Sequence, residues 1–240
     1  MRRIKVIHLF FAVIIFMMFF SFVYGDDHLV YEESRSYMGH HSPKTTRETW
    51  LTENKACIRY RRFMSIIRLD LKKKWSVYPG FKAYLEEPLD LQAKEEKKSI
   101  YDIGWDYTPQ YDWTVKETGE SQQINGWECK KIIVHGEADY AELTIVMWLS
   151  KDGPINSERY HTMIQTASEE RREILTAFPA LKDFIVVEAK YTIQRPISPP
   201  ITREVKMVKA EVADPPPNIY QIPPGLEKVN SLMELYGRNK

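Results

Sequence analysis

From Ala141 to Leu149 the chain alternates without a break: Ala141, Leu143, Ile145, Met147 and Leu149 fall on one side of an extended backbone, Glu142, Thr144, Val146 and Trp148 on the other. A period of two marks a β-strand with one apolar face, because successive side chains of a strand point to opposite sides. Ile185, Val187, Ala189, Tyr191 and Ile193 alternate with Glu188, Lys190 and Thr192 in the same way. Shorter patterns predict strands at Leu29 to Tyr37, Thr45 to Thr52, Cys57 to Arg61, Ser65 to Leu71, Trp75 to Tyr78, Trp113 to Glu117, Glu128 to His135 and Arg203 to Val212. Turn-forming pairs such as Glu53-Asn54, Pro79-Gly80, Asn125-Gly126 and Asp152-Gly153 separate several of them. Strands joined by turns this short pair antiparallel, since parallel pairing needs a long crossover. The expected fold is mainly β, an antiparallel meander.

Two segments depart from this period. Ser157 to Phe178 places Tyr160, Met163, Ile164, Ala167, Ile174, Leu175 and Phe178 on one helical stripe, with Asn156 or Ser157 to cap its start and Pro179 to end it. It predicts an amphipathic helix laid across the sheet as a lid. Leu89 to Tyr101 is a second, more charged helical candidate. Pro196 to Pro200 and Pro215 to Pro217 read as stiff connections at sheet edges. No repeat or low-complexity segment divides residues 26–240, which are read as a single domain.

The first 25 residues have a different character. Arg2, Arg3 and Lys5 precede an uninterrupted apolar run from Leu9 to Phe20, and Val23-Tyr24-Gly25 ends it with a small residue, the layout of an export signal cleaved near Gly25. The run is shorter than the ~20 residues of a membrane span, although an uncleaved anchor is the competing reading. The expected location is periplasmic or secreted. The full chain of 240 residues carries a formal charge of +1, and setting aside the three leader cations leaves −2. Near-neutrality excludes a nucleic-acid binder that works through a strongly basic surface.

Cys57 and Cys129 are the only cysteines and lack a C-x-x-C spacing, so in an oxidising compartment they are either a disulfide or two separate buried thiols. A bridge would contribute about 4 kcal/mol by restricting the unfolded chain. Catalytic signatures are absent: there is no G-x-S-x-G, H-E-x-x-H, G-x-x-x-x-G-K or G-x-G-x-x-G. His40 and His41 are adjacent beside Gly39 and Pro43, which predicts a loop, and His28, His135 and His161 lie apart from one another. Glu32-Glu33 and Glu86-Glu87 are neighbours that point to opposite faces of a strand and form no catalytic pair. The expectation is a non-enzyme with no cofactor and no resident metal. Between Arg59 and Lys74, Arg59, Arg61, Arg62, Arg68, Lys72, Lys73 and Lys74 stand against Asp70 alone. They form either a patch for an anionic surface or solvated charges that keep strand edges apart.

Thr118-Gly119-Glu120, Ile124-Asn125-Gly126-Trp127-Glu128-Cys129-Lys130-Lys131, Met147-Trp148-Leu149-Ser150 and Tyr220-Gln221-Ile222-Pro223-Pro224-Gly225-Leu226, in that order, resemble the pattern of bacterial exported domains of the DUF4412 type. These are similar in turn to periplasmic lipoprotein carriers of the LolA and LolB type. The resemblance implies a sheet curled into an unclosed barrel with helices over its concave apolar face, and a cavity that in the carriers holds acyl chains. It carries no ligand-contacting residue across. A curved apolar face must bury itself against something, so either side chains fill the space or a ligand does. The candidate cavity is lined by Leu143, Ile145, Met147, Ile185, Val187 and Tyr191, with Met163 and Ile164 on the lid. The expected ligand is a lipid, acyl chain or lipoprotein. The alternative is an envelope protein-interaction module with a filled core that uses an outer aromatic face around Trp148.

Overall fold

The computed structural model describes residues 25–89, 111–167 and 169–237, with backbone only for 164–167 and 169–171. The leader before Gly25, and the helical candidate beyond Leu89, lie outside these residues. The described chain is mainly β and forms one curled sheet that does not close into a barrel.

The strands are β1 (Asp26–Tyr37), β2 (His40–His41), β3 (Thr45–Leu51), β4 (Lys55–Tyr60), β5 (Phe63–Arg68), β6 (Lys73–Tyr78), β7 (Ala83–Pro88), β8 (Asp112–Ile124), β9 (Trp127–Ala138), β10 (Ala141–Ser150), β11 (Ile185–Arg195), β12 (Ser198–Ala213) and β13 (Glu227–Val229). Asn125 and Gly126 both have positive φ, 55° and 83°, as a two-residue type I′ hairpin between β8 and β9 requires. Two meanders, β3 to β7 and β8 to β12, are joined along the middle by β1, which pairs β3 on one side and β12 on the other. The edges are β8 and β13.

Several expectations shift. The strand read as Ser65 to Leu71 stops at Arg68, and Leu69–Leu71 is a single 3-10 turn closed by Lys72 in the left-handed region. Pro199 and Pro200 are not a connection but the start of β12, beyond the reach of β1, whose pairing begins at Tyr37 and Ile201. There the missing N–H of proline leaves no ladder bond unmade. One pairing is parallel: β13 runs along β7 at the far edge, and Leu235 of the short helix Leu232–Gly237 covers Val229 and Ala83. The cysteines are separate free thiols, Cys57 on β4 and Cys129 on β9, each fully buried among different side chains. Burial pushes the Cys57 thiol up to about 12.

The predicted lid helix is two helical segments, α1 (Ser157–Ala167) and α2 (Glu169–Ala177), followed by a 3-10 turn at Pro179–Asp183. Asn156 is the cap: its Oδ1 accepts the Arg159 N–H at 2.9 Å. Arg159 Nη1 then donates to Asp27 Oδ2 at 3.2 Å, which fastens the start of α1 to β1. Burial raises the Asp27 carboxyl above its ordinary range, and the Arg159 charge only partly offsets this. Further along, His161 Nε2 donates to the Phe184 carbonyl, which holds α1 against the segment entering β11. Trp113 Nε1 donates to Glu173 at 3.1 Å and ties α2 to β8.

Candidate functional site

The concave side of the sheet collects every second residue of its central strands. β10 contributes Ile145, Met147 and Leu149, β12 contributes Arg203 and Val205, and β1 contributes Tyr31. Beneath α1 and α2, these residues surround a cavity of about 260 Å³, bounded on the helical side by Tyr160, His161, Ile174, Leu175 and Leu181. Apolar side chains from β10, β11 and α2 make one side of it. The other side, over β3, β1 and β12, is polar.

That polar side is built on Glu33, which follows Leu29 and Tyr31 on the buried face of β1. Glu33 pairs across the sheet with Thr45 of β3 and Val205 of β12, so Arg47 and Arg203 are its diagonal neighbours. Arg47 Nη1 lies 3.0 Å from Glu33 Oε1, and Arg203 Nη2 donates to Glu33 Oε2 at 2.9 Å. Each guanidinium also lies over a tyrosine ring, Arg47 4.3 Å from the centroid of Tyr31 and Arg203 5.5 Å from that of Tyr191. Burial alone would lower the Arg47 pKa, but Tyr31, Glu33 and Tyr60 outweigh it and the pKa is raised. Two guanidiniums against one carboxylate leave the cluster one positive charge in excess.

Of the residues expected to line a cavity, Ile145, Met147 and Tyr191 are on its wall. Leu143 packs with Ile132 and Val134, while Met163, Ile185 and Val187 are buried with Leu29, Leu51 and Ile67. The side chain of Ile164 lies outside the described residues. Val186 takes the wall position expected of Val187 because of a β-bulge, which pairs Leu149 with Val186 after Trp148 has paired with Glu188. Sequence reasoning missed Arg47 and Arg203; the alternation of Arg203, Val205 and Met207, with a charge at an inward position, is a signal that could have found the polar side.

The basic segment divides. Arg59 pairs with Glu48 at 3.5 Å, Arg68 with Asp70 at 2.6 Å and Lys73 with Glu86 at 3.2 Å, whereas Arg61 and Arg62 are exposed in the β4–β5 turn. Trp148 lies on the opposite face from the cavity, with the Lys131 ammonium 5.8 Å from its ring. His28 is nearly buried on that face, stacked on Trp50 at 4.0 Å and placed between Glu48 and Glu211. Among the described residues, no His, Cys, Asp and Glu cluster could hold a metal ion, and no helix is long and apolar enough to cross a membrane.

Residues 33–225 match the family model described as a domain of unknown function, DUF4412. The chain belongs to the DUF4412 family. Two of the motifs behind its resemblance to DUF4412 domains are architectural, whereas Met147 and Leu149 of a third are on the cavity wall. Thr118-Gly119-Glu120 is a bulge in β8, with Gly119 at φ 76° and Thr118 Oγ1 bonded to the Lys131 carbonyl. Tyr220, Ile222 and Leu226 cover Trp50, Cys57 and Trp75 on the convex side, and the Tyr220 hydroxyl donates to Asp26 at 2.6 Å. No residue of these two motifs lines the cavity. No curated protein matches this DUF4412 chain in sequence. Among solved structures it is similar to PNGF-II, at 11% identity and a TM-score of 0.41, covering 90% of this chain and 33% of that one. The chain thus spans about a third of the length of PNGF-II. It is also similar to a DUF1329 family protein from Desulfovibrio piger, at 10% identity and a TM-score of 0.35, covering 82% of this chain and 89% of that one. A LolA superfamily protein from Nitrosomonas europaea gives 8% identity and a TM-score of 0.32, with 82% and 90% covered.

Proposed function

We propose that this protein is an exported, non-enzymatic carrier or binder of an apolar or lipidated ligand in the cell envelope. The observation that carries this reading is the cavity of about 260 Å³ between the concave face of the sheet and the two helices. A filled-core interaction module would have side chains there. The leader pattern at residues 1–25 supports action after export. At roughly 30 Å³ for a group the size of water or methylene, the space takes about eight or nine such groups. Burying that many methylenes contributes about 7 kcal/mol gross. That volume suits one acyl chain better than several.

The test is native mass spectrometry of the exported protein purified without detergent, with organic extraction of anything bound. A stoichiometric lipid or acylated species is the expected result. An unliganded mass, together with failure to take up a fluorescent fatty-acid probe, would overturn the reading and direct the search to protein partners.

A further inference from the structure

The two arginines are unusual company for an apolar cavity. A charge placed beside a lipid-sized space costs desolvation, and one carboxylate would suffice to neutralise one guanidinium. Here Glu33 is shared between two, and each guanidinium lies over a tyrosine ring that also lines the cavity. The Nε atoms of Arg47 and Arg203 are both buried and have no hydrogen-bond partner among the described residues. The polar wall therefore holds a spare positive charge, carried by the Arg47 and Arg203 guanidiniums that line it. Among the described residues, the cavity wall itself holds no acidic side chain. A guanidinium presents donors in a planar fork that fits a carboxylate.

We propose that the cavity recognises a single-chain amphiphile with an anionic head, a fatty-acid carboxylate, whose head lies against Arg47 and Arg203 and whose tail lies along Met147, Leu149, Leu175 and Val186. This rests on the carrier reading and narrows it. The ligand's negative charge completes the cluster, two cations to two anions, so the head is bound by charge and the tail by burial. The tail that fits the volume is of medium length. An amphiphile without the charge retains the tail contribution alone.

The experiment is competition against a bound fluorescent fatty-acid probe by decanoate, decanol and decyl phosphate, each below its micelle concentration, on the exported protein. Decanoate should displace the probe at least tenfold more effectively than decanol. Arg203→Gln should remove most of that difference, and Arg203→Lys should restore only part of it. Equal displacement by decanoate and decanol overturns the head-group assignment but leaves the carrier reading standing. Tighter binding of decyl phosphate than decanoate overturns the carboxylate in favour of a phosphate head. Displacement by none of the three, with no probe uptake, overturns both readings. The comparison of ligands on the unmutated protein decides the matter even where a variant fails to fold.

Discussion

Replacing Glu33 by Gln tests the charge cluster directly, because it keeps the shape and one acceptor but removes the only negative charge between two guanidiniums. The side chain of Glu33 is 6% exposed, that of Arg47 17% and that of Arg203 32%. Removing one partner of a well-buried ion pair costs about 3–5 kcal/mol, and of an exposed pair about 0–1. The Arg47 pair lies near the first limit and the Arg203 pair near the second, while the glutamine carbonyl retains one hydrogen bond. The expected loss is about 2–4 kcal/mol. In a domain of this size, that corresponds to a fall in Tm of about 4–15 °C. Urea unfolding followed by tryptophan fluorescence measures it, with an unchanged m-value showing that the native surface is preserved. A loss below about 1 kcal/mol would refute the reasoning, since both arginines would then be hydrated well enough to need no counter-charge. In a double-mutant cycle, the coupling of Glu33 to Arg47 should exceed its coupling to Arg203.

Other outcomes follow from the same geometry. Glu86 accepts from Trp75 Nε1 at 2.9 Å, from Lys228 at 3.1 Å and from Lys73 at 3.2 Å, and these bonds hold its pKa down to about 2. Its folded pKa lies below the unfolded value, so its contribution is present above about pH 4.5 and lost as pH falls through about 2. Glu86→Gln should flatten that part of the acid-unfolding curve. Asp27 has the opposite sign, because burial raises its folded pKa: ionising it costs stability, which falls as pH rises through that pKa. Asp27→Asn should remove this slope and, by losing the Arg159 ion pair, speed amide exchange in the first turn of α1 while leaving β3 and β4 protected. A Cβ on Gly136 would meet the Trp113 ring at 2.6 Å, so Gly136→Ala should cost about 1–3 kcal/mol in urea unfolding and displace the Trp113 to Glu173 bond. A thiol assay should count no reactive cysteine in the native protein and two after unreduced denaturation; finding none after denaturation would restore the disulfide.

The strands with strict alternation, Ala141 to Leu149 and Ile185 to Ile193, were legible from the chain because half-burial imposes a period of two. The Asn125-Gly126 turn was legible because only residues tolerant of positive φ fit it. The lid was legible as an apolar stripe closed by Pro179. The site was legible only in part. Ile145, Met147 and Tyr191 follow from alternation alone, but the bulge opposite Leu149 exchanges Val187 for Val186, and no local pattern records a bulge of that kind. Glu33 illustrates the limit most clearly. Beside Glu32 it reads only as one of two neighbouring acids on opposite faces of a strand, yet it is the buried partner of both Arg47 and Arg203.

What the sequence determined by itself is local: which segments extend, which coil, where the chain turns, and that residues 1–25 differ in kind from the rest. These depend on periodicity and backbone preference within a few residues. What only the tertiary structure decided is the pairing of β1 with both β3 and β12, the latter about 180 residues away along the chain. That register brings Arg47 and Arg203 onto either side of Glu33 and shapes an apolar cavity with a cationic wall. Register across such a distance is set by the packing of the whole concave face, because a slip of one residue would turn every one of these side chains to the other side.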